Sequence, residues 1–256
     1  MTEQILTEIL DHTLLIRLNR PDKKNALTGA MYNGICDAFD QLEQDSQLRV
    51  AVITGTRDCF TAGNDLVDFL DSPGIGGDSP VGRFLRTLPA LSKPLVAAVN
   101  GAAVGVGTTL LLHCDLVYAA PGAKFQMPFA NLGLCPEAGS SLLLPQMVGY
   151  RKAAQLLMLC ERFGADDAVE LGIVNEVLAE KDYLEHALTK AGQLAALPPN
   201  SIRTTKQLLR KSNTEQLRTV MELEQQYFTD MLQGAEAKEA FNAFLEKRKP
   251  DFSRFR

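Results

Sequence analysis

No CxxC pair occurs in this chain, and its five cysteines, Cys36, Cys59, Cys114, Cys135 and Cys160, are odd in number and widely spaced. That usage argues against a disulfide framework and for reduced thiols in a cytoplasmic setting. Histidine is scarce, at three residues, and the adjacent His113 and Cys114 do not make a metal-ligand spacing, so no metal site is expected. GVGTTL lacks the third glycine of GxGxxG, and no GK[ST] follows a glycine loop, which removes the dinucleotide and P-loop readings. GxSxG is missing as well, weakening a serine-hydrolase role for Ser140 or Ser141. The opening MTEQILTEILDHT has neither the basic stretch of a signal peptide nor the arginines of a transit peptide, and the closing FSRFR is not a peroxisomal signal. No repeat or low-complexity tract stands out.

Net charge is -5 and the isoelectric point near 5.3, which speaks against a broad nucleic-acid surface; an anionic ligand would have to be met by a local cluster of cations. The uncharged run from Pro94 to Cys114 invites a membrane reading. Asn100, the glycines and the threonines interrupt it, however, and it reads better as buried strand, tight turn and buried helix. No membrane partner is expected.

With 46% hydrophobic residues over 256 positions, the chain can bury one large core. The alternation in Thr13 to Asn19 predicts a half-exposed strand, and Met31, Ile35, Phe39 and Leu42 predict a helix from about Thr28. VAVITG at 50–55 predicts a buried strand, and a polar loop follows with DSPGIGGDSP at 71–80 as its most flexible part. Strands are expected at 95–100 and 116–119, with a helix at 105–113 between them. From Tyr150 onward the pattern becomes helical: near 151–160, near 182–196, and one long helix after Pro199 with Ile202, Leu209, Leu217, Met221 and Phe228. A last helix carries Phe241, Phe244 and Leu245 before Pro250. The first two thirds thus read as α/β and the last third as helical.

Three segments carry chemistry. In FQMPFANLGLCPEAGSSLLLPQMVGY, between Lys124 and Arg151, the only carboxylate is Glu137. A carboxylate withdrawn from water without a cationic partner has its pKa raised toward the range of a useful general base. In FTAGNDL at 60–66 a glycine among small residues lets the backbone turn and leaves an N–H free at Asn64. In NGAAVGVG at 100–107 glycines end a strand and open a helix, again leaving free N–H groups at a positive dipole end. Two such donors facing one point form an oxyanion hole.

Together with NRPDKKNAL at 19–27, KPLVAAVNGAAVGVGTTLLLHCDLVYA at 93–119 and EAFNAFLEKRKPDF at 239–252, these segments resemble the crotonase, or enoyl-CoA hydratase/isomerase, family over nearly the whole chain. The resemblance implies an α/β crotonase-like spiral of ββα units over residues 1–195 and a C-terminal helical trimerisation region over 196–256. It implies a homotrimer or dimer of trimers that binds an acyl-CoA thioester, with no cofactor beyond the coenzyme A of the substrate. The oxyanion donors it implies are the Asn64 and Val106 N–H groups. The coenzyme A moiety is expected against Lys23, Lys24, Ala26, Ala62, Gly63, Asp65, Leu66 and Gly105, with Lys247, Arg248 and Lys249 adding contacts from the last helix, even from a neighbouring subunit. Leu66, Phe69, Leu70, Phe84 and Leu85 are expected to line the acyl tunnel.

The pattern departs from that of the hydratases, which carry one glutamate after the glycine turn and another after the proline of the next strand. Thr109 and Phe129 stand there in this chain. Glu137 falls where the family's 3-enoyl to 2-enoyl isomerases have their catalytic acid, which implies one-base proton transfer from C2 to C4. Asp65 and Asp68 stay open as alternative acids, enoyl-CoA hydration as an alternative reaction, and a non-catalytic acyl-CoA-binding role as an alternative of another class.

Overall fold

The computed structural model describes residues 3–56, 58–71, 77 and 79–255, except the side chains of Phe69, Leu70 and Asp71. The expected tunnel positions Phe69 and Leu70, and most of the loop at 71–80, therefore lie outside the described residues.

A hairpin of β1 (Ile5–Leu10) and β2 (Thr13–Leu18) opens the chain, followed by a 3-10 turn at Pro21–Lys23 and α1 (Gly29–Gln44). The Thr28 hydroxyl caps α1 by accepting the Met31 N–H at 3.3 Å, satisfying one of the donors a helix start leaves open. Then come β3 (Val50–Thr54), β4 (Cys59–Thr61), α2 (Leu66–Asp71), α3 (Pro80–Ala90), β5 (Leu95–Val99), β6 (Ala102–Val104) and α4 (Val106–Thr109), which continues as a 3-10 turn at Leu110–His113. β7 (Leu116–Ala119), β8 (Lys124–Gln126), α5 (Ser140–Val148) and α6 (Tyr150–Met158) follow. β9 (Phe163–Gly164), α7 (Ala165–Glu170), β10 (Glu176–Val177) and α8 (Tyr183–Ala196) precede the closing α9 (Pro199–Lys211), α10 (Thr214–Leu232) and α11 (Ala235–Leu245).

The strands form two sheets, one in the order β1-β2-β3-β5-β7-β10 and the other β4-β6-β8-β9. Each successive strand pair, β3 with β4, β5 with β6 and β7 with β8, gives one strand to each sheet before the chain turns into helix. Repetition of that ββα step stacks β3, β5 and β7 in parallel and β4, β6 and β8 in parallel. The α/β spiral expected from the sequence is this arrangement.

Period-two alternation divides the strand residues between two cores. Val50, Val52, Val96 and Ala98 meet Ala187, Ala191 and Ala195 of α8, whose small side chains let the helix lie close on the sheet. Ala51, Ile53, Ala97 and Val99 point the other way, into the larger core with Phe60 and Phe125. Because both faces are covered, these strands are apolar throughout.

Three expectations need correction. β2 is buried on both faces rather than half-exposed, with Leu15 in the α8 core and Leu14, Ile16 and Leu18 in the other, because α8 covers one face of the sheet there and α1 the other. The long helix after Pro199 is two helices, broken at Ser212 and Asn213, where the Asn213 amide bonds Gln146 at 2.6 Å. The helix at 105–113 is one α-turn that tightens into a 3-10 turn. Pro94 to Cys114 is likewise divided among β5, β6, α4 and the 3-10 turn, and among the described residues no helix is long and apolar enough to cross a membrane.

Candidate active site

Residues 19–27 are locked beside β4 by Asn25. Its buried amide donates to the carbonyls of Cys59 at 2.8 Å and Phe60 at 3.2 Å and accepts the Arg20 N–H at 2.8 Å. Lys24 and Asn25 both adopt positive φ, 51° and 52°, a conformation asparagine tolerates better than most residues. The Ala62 N–H then reaches the Lys24 carbonyl at 2.9 Å, and the Leu27 N–H the Gly63 carbonyl at 2.8 Å. Lys23 and Lys24 are thereby held at the rim of a cavity of about 840 Å³.

Two backbone turns face that cavity. Gly63 has φ 90°, and a Cβ there would sit 2.8 Å from the Val104 carbonyl oxygen, so only glycine lets the first turn approach the second this closely. The next residue is Asn64, whose side-chain oxygen accepts the Tyr32 hydroxyl. In the second turn, Gly105 joins β6 to α4, and the Thr108 and Thr109 N–H groups close onto its carbonyl at 2.8 and 3.0 Å. Val106 is the first residue of α4, so its N–H points out of the helix start. Among the described residues neither the Asn64 nor the Val106 N–H has a hydrogen-bond acceptor, and both residues line the cavity.

Glu137 lines the same cavity and is 6% exposed. A tight turn presents it: its carbonyl accepts the Ser140 N–H at 3.0 Å and hydroxyl at 2.7 Å, while Ala138 and Gly139 take φ of 56° and 71°. Its carboxylate accepts the Thr109 hydroxyl. Thr109 ends the turn of helix that Val106 begins, so about 5 Å of helix sets the carboxylate relative to the Val106 donor. Burial, opposed by the Thr109 hydrogen bond and reinforced by the negative charge of Glu224, pushes the Glu137 carboxyl up to about 7. Burial, and then the Glu137 charge, raises the Tyr32 hydroxyl well above its ordinary value.

Of the other expected residues, Lys23, Lys24, Ala26, Ala62, Gly63, Asp65, Leu66 and Gly105 all line the cavity. Asp65 is committed elsewhere: burial is outweighed by Arg20 at 2.7 Å and by the Asp68 and Val67 N–H groups, which hold its carboxyl below the usual range. Asp68 caps α1 through the Gly29 N–H at 2.8 Å and is not in the lining. The Ala26 N–H is spent on the Lys23 carbonyl and its carbonyl accepts the Arg20 guanidinium, both within its own loop, while the Ala62 N–H ties the two loops together through the Lys24 carbonyl, so incoming groups meet chiefly carbonyl lone pairs. Lys247 and Lys249 are exposed after α11 and do not line the cavity of their own chain; Arg248 pairs with Glu239 at 2.5 Å.

The tunnel expectation is corrected in part. Phe84 lies in the core against Tyr32 and Phe39, and Leu85 faces a second, small cavity; Val81, Phe129, Leu132 and Leu134 line the main one in their place. Sequence reading also passed over Tyr32 and Arg162. Arg162 reaches the cavity because β9 pairs with β8, setting its guanidinium 3.0 Å from the Gln126 side chain. No local pattern announces that contact. His113, with a ring nitrogen 2.7 Å from the Ala138 carbonyl, is pushed down to about 4 by burial, which that hydrogen bond only partly offsets. Among the described residues no group of three or more His, Cys, Asp or Glu side chains could hold a metal ion.

The geometry thus brings a buried carboxylate and two N–H groups without acceptors to one cavity, with Lys23, Lys24 and Arg162 at the rim and, among the described residues, no carboxylate paired with any of them. That set can stabilise an oxyanion while a proton moves.

The family model described as enoyl-CoA hydratase/isomerase matches residues 8–254. The enoyl-CoA delta isomerase 2 of Rattus norvegicus is 40% identical over 215 residues, covering 82% of this chain and 55% of the rat protein, so the chain spans about half that relative's length. The 2,3-dehydroadipyl-CoA hydratase of Escherichia coli is 35% identical over 98% of this chain and 99% of its own. A solved enoyl-CoA hydratase/isomerase from Pseudoalteromonas atlantica superposes with a TM-score of 0.94 at 40% identity, covering 98% of this chain and 100% of the other.

Proposed function

This chain belongs to the enoyl-CoA hydratase/isomerase family and has its crotonase-like fold, and we propose that within the family it isomerises 3-enoyl-CoA to 2-enoyl-CoA. The thioester carbonyl accepts the Asn64 and Val106 N–H groups. Glu137 removes a proton from C2, the electrons pass into the thioester oxygen as a dienolate, and the same carboxyl returns the proton to C4 as the double bond moves from C3–C4 to C2–C3. Every proton and electron pair is accounted for within substrate and Glu137. The step is redox-neutral and the oxyanion is met by N–H groups, so the proposal calls for no metal or redox cofactor; coenzyme A arrives with the substrate.

The observation that carries this reading is the pairing of Glu137 with Thr109 and Phe129. Of the carboxylates in the lining, Glu137 is free of a cation and Asp65 is not. One base suffices for a C2 to C4 transfer, whereas hydration must both activate and protonate around a bound water. The apolar ring of Phe129 offers that water nothing. A hydratase reading stands second, favoured by the Escherichia coli relative.

We further propose that Lys23, Lys24 and Arg162 meet the phosphates of coenzyme A, and that Lys247 and Lys249 reach the site of a neighbouring copy. Apolar side chains left open on the closing helices, such as Leu208, Leu209, Leu223, Tyr227, Phe244 and Leu245, suit burial in a trimer or dimer of trimers formed through residues 196–256. The five unpaired cysteines suit a reducing, cytoplasmic compartment.

Purified protein assayed with 3-hexenoyl-CoA and with crotonyl-CoA tests the reading. Wild type should isomerise the first, and Glu137→Gln should lose about a hundredfold or more in kcat. Isomerisation unchanged in the variant defeats the proposal; hydration of crotonyl-CoA without isomerisation favours the second reading; binding without turnover favours a non-catalytic role.

A further inference from the structure

Glu224 is a second buried carboxylate, 7% exposed, and the proposed proton transfer makes no use of it. It comes from α10, far along the chain, yet its carboxylate is spent entirely on the turn that presents Glu137. One oxygen accepts the Gly139 N–H at 2.6 Å; the other accepts the Ser141 N–H at 3.0 Å and the Ser141 hydroxyl at 2.5 Å. Gly139 is the residue before α5 and has no side chain to cap it, so Glu224 supplies from another helix the cap that the local sequence lacks, at the positive end of the helix dipole.

Glu137, Ala138, Glu224, Leu85, Arg86, Met221 and Gln225 also enclose a small cavity of about 40 Å³ behind the turn. The two carboxylates therefore share one poorly solvated space. We propose that Glu224 is a positioning residue for Glu137: it holds the Glu137 turn in place and provides the like charge against which Glu137 must ionise. This rests on the reading of Glu137 as the base.

The remaining groups around the pair do not cancel that charge. Tyr32 of α1 and Cys135 of the preceding loop are neutral at physiological pH, both raised by burial first and then by neighbouring carboxylates. Thr109 donates a hydrogen bond without charge. Arg86 of α3 is, among the described residues, the one cation in the shared space, and its guanidinium bonds the Gly77 carbonyl at 2.5 Å rather than either carboxylate.

Infrared titration of the protonated carboxyl band, wild type against Glu137→Gln, follows Glu137 in the free protein without reference to any reaction. In E224Q the Glu137 titration should move to lower pH by on the order of one unit, and the acid limb of isomerisation should move with it. In E224D, which keeps the charge and shortens the reach, the titration should stay within a few tenths of a unit of wild type while kcat falls several-fold with KM little changed. A Glu137 titration unmoved in folded E224Q overturns the charge role, as does an equal shift in E224D. Unchanged kcat in E224D overturns the positioning role, and that variant decides it even if E224Q does not fold. Should 3-enoyl-CoA prove not to be a substrate, the isomerase reading fails while the infrared titration still judges the pair.

Discussion

The Thr109 hydroxyl donates its hydrogen bond to the Glu137 carboxylate, tying the short helix that begins with Val106 to the turn that carries Glu137. An uncharged hydroxyl thus orients the buried carboxylate. That hydrogen bond favours the ionised form, against burial and Glu224.

Thr109→Val removes the donor with little change in shape. Glu137 should then ionise at a pH above about 7, and the acid limb of kcat/KM should shift upward, opposite to the shift expected for E224Q. A pH profile of the two variants side by side checks both signs; a limb that stays at its wild-type position would remove Thr109 from the site.

Glu137→Gln should stabilise the protein at the expense of its activity. The folded-state pKa of about 7 exceeds the ordinary 4.5, so the folded protein binds the proton more tightly than the unfolded one between those values. Stability is therefore fully present below pH 4.5 and declines as pH rises through the window. At pH 8 the glutamine variant should be more stable by about 3 kcal/mol, and at pH 4 the difference should vanish. Urea unfolding at both pH values measures this.

Gly63→Ala should damage both fold and site. Its φ of 90° and the 2.8 Å approach to Val104 oxygen force a shift, costing about 1–3 kcal/mol, and any displacement of the Asn64 N–H weakens one oxyanion donor. A fall in kcat on the order of a hundredfold is expected, read together with the thermal midpoint. Retention of kcat would exclude Asn64 as a donor.

Arg162→Gln and Lys24→Gln should each weaken binding of coenzyme A by about fivefold at low salt, with the difference shrinking as salt is raised. Calorimetry with coenzyme A, set beside turnover of an acyl-pantetheine that lacks the nucleotide, separates phosphate contact from general damage. Equal losses with both ligands would count against phosphate contact.

Much of this protein is legible in its sequence because the information is local. Periodicity marks α1, β3, β5, β7 and α8, since one face or both must be apolar to be buried. The glycine turns at 63 and 105 announce free N–H groups, and the apolar, cation-free stretch around Glu137 announces a displaced pKa, because each follows from neighbouring residues. What local pattern could not supply is anything made by contact between distant segments. β2 looked half-exposed until α1 and α8 were found on its two faces. Phe84 and Leu85 had the right character for a tunnel but face the core and a separate cavity. Arg162 joins the cavity only through the pairing of β9 with β8, and Glu224 meets the Glu137 turn only because α10 folds back across it. The sequence alone determined the chain's family and its candidate base. The tertiary structure decided that base's environment, because a pKa depends on which charges, donors and apolar walls are brought within a few ångströms, whatever their separation along the chain.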